Sequence, residues 1–136
     1  MSDSKIFEDL LSIGVKEGAS DLHIAVGRHP TIRIDGSLIP LLKEEVITPE
    51  AAESFAFSIL SEEQKERFKK EKELDLSYNF RNRARFRVNV FYQRGFVGVT
   101  LRLIPAKVRT FKELNLPLIL EEFCKFQQGF FLAVGP

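Results

Sequence analysis

At 136 residues the chain has room for one domain, or for one and a fraction. It is 44% hydrophobic and 29% charged, an ordinary balance for a globular protein with a real core, which excludes a disordered or fibrous chain. The formal net charge of +1 supplies no overall pull toward nucleic acid or an anionic membrane.

In chain order, Ser2, Asp3 and Ser4 offer an N-cap, and Ile6, Phe7, Leu10, Leu11, Ile13 and Val15 recur at helical spacing, so residues 5–16 are expected to form an amphipathic helix closed by Gly18. Residues 21–26 alternate, with Leu22, Ile24 and Val26 on one face and Asp21, His23 and Ala25 on the polar one. A turn at 27–30 leads to a short strand at 31–35. Asp35-Gly36 then signals a hairpin into a strand at 38–42. Thr48-Pro49-Glu50 is a helix start, with Thr at the N-cap, Pro in the first turn and an acid beside it. That helix turns Ala52, Phe55, Ala56, Ile59 and Leu60 inward. Ser61 and Gln64 form a capping box for a second, highly charged helix ending near Lys70.

Residues 73–80 alternate strictly, with Leu74, Leu76, Tyr78 and Phe80 on one face. The hairpin 84–104 follows. With Arg94-Gly95 as its loop, Phe86 faces Leu103, Val88 faces Leu101, Val90 faces Val99, and on the other face Arg87 lies opposite Arg102. Like charges directly opposite are destabilising, and such pairs persist when something anionic sits over them. Beyond Pro105, the connector 106–116 carries a short helical turn at 111–114. Residues 117–126 read as a helix enclosing Cys124, and 129–134 is an apolar run of the kind buried on both faces of a parallel sheet.

The charge is segregated. Residues 79–109 carry eight Lys or Arg and no acid, while residues 44–75 carry ten acids and five bases. The arginines at 81, 83, 85 and 87 suit either an edge strand protected by charge or an anion site. The single cysteine rules out an internal disulfide. Two isolated histidines, His23 and His29, give no metal-ligand spacing. No nucleophile–base set and no complete Gly-rich loop is visible. A buried strand followed by glycine is how a phosphate-binding loop begins, and here only its first glycine, Gly135, would be present.

Several segments together resemble one family: ASDLHI, ARFRVNVFYQRG, LRLIP, TFKELNLP and a terminal apolar strand reaching GP, in that order and spacing. The chain resembles the PilT-like type IV pilus retraction ATPases, which act in twitching motility and belong to the secretion-type hexameric motors. The resemblance implies an α+β fold: a PAS-like, mostly antiparallel sheet with helices over 1–105, then over 106–136 a linker and the first elements of a RecA-like ATPase core cut at the start of Walker A. It implies that Arg87 and Arg102, with Arg85 as a further candidate, contact the phosphates of ATP in the full-length motor. Their guanidinium groups are then expected to be exposed, close together and not both neutralised by carboxylates.

The parent would be a cytoplasmic homo-hexamer, peripheral at the inner membrane against the pilus platform protein, using ATP and Mg²⁺. No nucleic acid and no direct membrane insertion are implied. The 136-residue chain alone would bind no cofactor and hydrolyse nothing. Within it the terminal strand would be disordered or would cap another apolar surface. Two other readings remain open: a stand-alone PAS-like ligand-binding module, and a nucleic-acid binder using the basic hairpin. The second has only Phe91 and Tyr92 near the polar face, too few for a stacking platform.

Overall fold

The computed structural model describes residues 3–105 and 107–135. It divides into two compact units, Met1–Ala106 and Lys107–Pro136.

The first unit is a mixed helix and sheet fold. Its elements are α1 (Asp3–Lys16), β1 (Asp21–Ile24), β2 (Thr31–Ile34), β3 (Ser37–Pro40), α2 (Pro49–Ile59), α3 (Glu62–Glu71), β4 (Glu73–Phe80), β5 (Ala84–Gln93) and β6 (Phe96–Ile104). The six strands form one antiparallel sheet in the order β3-β2-β1-β6-β5-β4. The β5–β6 ladder has the register expected from alternation: Phe86 opposite Leu103, Arg87 opposite Arg102, Val88 opposite Leu101 and Val90 opposite Val99. Its loop, Arg94-Gly95, has φ of 53° and 85°, and the β2–β3 loop, Asp35-Gly36, has 47° and 81°. Positive φ at both central residues is what a two-residue hairpin of matching twist requires.

Local signals start the helices where expected. Thr48 accepts the Ala51 N–H as N-cap of α2, with Pro49 in its first turn. Ser61 and Gln64 close a reciprocal capping box on α3. The cap expected for α1 draws on Ser2, which lies outside the described residues.

The core occupies one face of the sheet. Leu22, Ile24, Ile32, Val88, Val90, Val99 and Leu101 are buried there together with Phe7, Leu10 and Leu11 of α1 and Ala52, Phe55 and Ala56 of α2. Phe7 stacks on Phe55 at 5.4 Å between ring centroids, and Phe68 of α3 stacks on Tyr92 at 5.0 Å. The first strand stops at Ile24, so Val26 reaches the core from a turn, and β3 stops at Pro40 rather than Leu42.

In the second unit, helix α4 covers only Ile119–Phe123, and Cys124 is its exposed C-cap residue rather than an interior one. The apolar run 129–134 is not a paired strand, as expected of it within this chain: these residues have no ladder partner among the described residues, and Phe130 is 87% exposed. A strand buried on both faces needs paired neighbours and two covering layers, and the described residues of this unit form no strand. Phe131 packs instead on Phe123, 4.9 Å between centroids.

Candidate functional site

Alternation puts a second set of side chains on the face of the sheet opposite the core. Because every ladder is in register, these side chains form rows running across the strands. One row reads Arg33 (β2), Asp21 (β1), Arg102 (β6), Arg87 (β5), Ser77 (β4). The next reads Thr31, His23, Thr100, Asn89, Asp75. The polar residues of five strands thus meet on one surface, although β1 and β6 are about 80 residues apart in sequence.

Arg87 and Arg102 stand opposite one another with their side chains 68% and 69% exposed. The expectation that carboxylates would not neutralise both is wrong. Arg102 donates from Nε to Asp21 Oδ1 at 2.9 Å, and Arg87 Nη2 lies 3.5 Å from Asp75 Oδ2. The physical reason is the like-charge pair itself. Two opposed guanidinium groups repel, and each relaxes toward the acid that the neighbouring strand places beside it.

The two acids differ. Asp21, expected on an exposed polar face, is only 5% exposed. Its strand is internal, flanked by β2 and β6, and Arg33 and Arg102 close over it from both sides. Besides Arg102 it takes the Ser20 hydroxyl at 2.8 Å and approaches Arg33 Nε at 3.4 Å. Burial by itself would raise the Asp21 carboxyl. The hydrogen bonds from Arg102 and Ser20 and the Arg102 charge outweigh it and hold the group below its ordinary value. Asp75 is 54% exposed and has Arg87 as its one ion-pair partner among the described residues.

His23 lies beside this cluster. Its Nδ1 is 3.4 Å from the Thr100 hydroxyl, and its Nε2 is buried with no hydrogen-bond partner among the described residues. Burial lowers its pKa, opposed by the Asp21 charge and helped by Arg33 and Arg102. It also borders a depression of ≈ 560 Å³, which is lined by Arg28, Thr31, Phe96 and Gly98 among others.

Arg85 is on the same face but opens toward a different depression, with Asn79, Asn82, Arg83 and Pro105. The edge-strand account of the arginine series fails, because β5 is internal and β4 is the edge. Arg81 pairs with Glu8 of α1. Gly135 belongs to the second unit, is exposed and follows no strand. Alternation gave no sign of Asp21's burial or of the Arg33 contact. Both arise from the β1–β2 and β1–β6 pairings, which bring the two arginines to either side of one carboxylate.

The mixed helix and antiparallel six-stranded sheet matches the N-terminal domain of PilT-type ATPases. A solved structure of the pilus retraction motor PilT with bound ADP superposes with a TM-score of 0.74 at 35% identity, covering 86% of this chain and 34% of that one. The chain is 35% identical over 129 residues to the type IV pilus ATPase PilU of Pseudomonas aeruginosa, covering 95% of this chain and 34% of PilU. It is 33% identical over 132 residues to the type IV pilus retraction ATPase PilT of the same organism, covering 94% of this chain and 37% of PilT. No family model matches the chain. In sequence and fold it is a PilT-like N-terminal segment, spanning about a third of the length of the curated relatives it matches. Among the described residues no helix is long and apolar enough to cross a membrane.

Proposed function

We propose that the chain is the N-terminal domain of a pilus motor ATPase, and that Arg87 and Arg102 contact the phosphates of ATP bound by a RecA-like core. One observation carries this reading: two arginines opposite one another on an open sheet face, both about two-thirds exposed. A guanidinium is always charged and can grip phosphate oxygens bidentately. Bringing a triphosphate between the two converts their mutual repulsion into two charge-assisted contacts. When bound, ATP would supply the phosphoryl group to be cleaved and Mg²⁺ its counter-charge. The role of this chain is to place positive charge where negative charge builds up. Arg85 is the reserve contact and Gly135 the first glycine of the phosphate loop. Residues 106–136 begin the core.

In the same reading the parent is a cytoplasmic homo-hexamer working at the inner membrane against a pilus platform protein. The likeness to type IV pilus ATPases supports the link to a pilus. A stand-alone ligand-binding module is the second reading, and the ≈ 560 Å³ depression beside His23 is what favours it.

The deciding experiment is Arg87→Ala in the full-length parent. Among the described residues the ion-pair partner of Arg87 is one exposed acid, so folding is expected to stay intact. ATP hydrolysis is expected to fall tenfold or more, about 1.4 kcal/mol of lost transition-state stabilisation, with an unchanged melting temperature. A variant that keeps over half of the activity overturns the phosphate-contact reading.

A further inference from the structure

We propose that the two carboxylates beside the arginine pair do different work: Asp21 positions Arg102 permanently, while Asp75 is a displaceable counter-ion that holds Arg87 until a polyphosphate takes its place. The inference rests on the phosphate-contact reading above and adds the regulation of that site.

The contrast is geometric. Asp21 is buried, accepts from Arg102 Nε at 2.9 Å and from Ser20 at 2.8 Å, and has Arg33 at 3.4 Å. Removing it from these partners would strand a buried charge, which is costly. Asp75 sits on the edge strand β4, opposite Asn89 rather than Arg87, and reaches its arginine diagonally. The 3.5 Å separation is longer than a charge-assisted hydrogen bond, and both side chains are more than half exposed. Exposed pairs of this kind hold weakly. Asp75 is more than half exposed on the edge strand, so its side chain can swing away.

Asp75, Arg87, Asn89, Thr100 and Arg102 line one depression of ≈ 320 Å³. An anion entering it meets Arg87 and Arg102, but it must share Arg87 with the Asp75 carboxylate. A singly charged anion gains at Arg87 no more than Asp75 already supplies. A polyphosphate carries enough charge to displace Asp75 and to span both arginines. The site therefore selects multiply charged phosphate chains over monoanions, and Asp75 sets the threshold.

The test is titration of the 136-residue chain with sodium tripolyphosphate at low ionic strength, following the arginine side-chain N–H signals by NMR. Asp75→Asn is expected to tighten binding about three- to fivefold, the range available from an exposed ion pair. Glu73→Gln is the charge-matched control. It removes an exposed acid two residues away on the same strand face, whose partner is the Asn89 amide rather than an arginine, and is expected to change affinity less than twofold. The Asp75→Asn gain should vanish when Arg87→Ala is added. If Asp75→Asn binds no tighter than Glu73→Gln, or if its gain survives Arg87→Ala, this inference falls. The phosphate-contact reading still stands in that case, provided Arg87→Ala alone weakens binding. Equal binding by the wild type, Arg87→Ala and Arg102→Lys overturns both.

Discussion

The two faces of the sheet follow the same period-two rule but are held together in different ways. On the covered face each row is apolar from strand to strand: Ile32, Leu22, Leu101, Val88 and Leu76 stand side by side. On the open face the next row reads Arg33, Asp21, Arg102 and Arg87, with two like charges side by side at its end. Apolar burial is non-directional and grows with the area removed from water. It fixes the ladder whichever neighbour supplies the contact. The charged row has no such tolerance, since each arginine depends on a carboxylate within reach. One face therefore specifies the fold and leaves the other free to hold an arrangement that a folding criterion alone would reject.

The largest effect that sharpens this comparison comes from the covered face. Phe86 is 3% exposed and stands between Leu103 and Tyr78. Phe86→Ala is expected to cost about 3–5 kcal/mol, the usual loss for a core phenylalanine, measured by urea unfolding of the chain. A loss under about 1 kcal/mol would mean that the apolar rows do not specify the fold.

On the open face the expected losses are smaller and unequal. Arg102→Ala leaves the buried Asp21 with Ser20 and the more distant Arg33. The change should cost about 1–3 kcal/mol, as for a buried acceptor stripped of a partner. Arg87→Ala releases only the exposed Asp75 and should stay within about 0.5 kcal/mol. Equal losses at the two arginines would show that the difference between Asp21 and Asp75 has no energetic content.

Much of the fold is legible in the sequence. The hairpin register, both hairpin loops, the Thr48 cap and the Ser61–Gln64 box all depend on residues close in sequence, and local chemistry decides them. The opposed Arg87–Arg102 pair was legible for the same reason, since a two-residue loop sets the whole β5–β6 ladder. The pairing of Asp21 with Arg33 and Arg102 was not. It requires β1 to insert between β2 and β6, and no turn length encodes that. The row of arginines at 81, 83, 85 and 87 read as one feature, yet the structure distributes its members among Glu8, Asp75 and two separate depressions. The apolar run 129–134 carries the pattern of a buried strand, but a strand exists only where others pair with it.

His23 gives the smallest effect and the closest test of how the two faces meet. It is half-buried in the open face, one row from Asp21, with Thr100 at 3.4 Å and Nε2 enclosed. Burial favours the neutral ring, Arg33 and Arg102 reinforce that preference, and Asp21 opposes it, so the folded-state pKa lies below 6.5. Between the folded and unfolded values the unfolded chain binds the extra proton. Stability from this group is therefore complete above about pH 6.5 and is lost as pH falls through the folded value. The Asp21 carboxyl has the same sign but acts lower, below its ordinary 3.8, so the two are separable. Thermal melts between pH 8 and 5 should show the wild type losing stability on acidification. His23→Gln should lose less over the same range, and the difference between the two curves removes every group they share. A wild type that gains stability relative to His23→Gln as pH falls would mean that Asp21 holds the imidazole as a cation. The acid would then serve His23 as well as Arg102, and the division between a buried positioning carboxylate and its exposed counterpart would have to be redrawn around three cations instead of two.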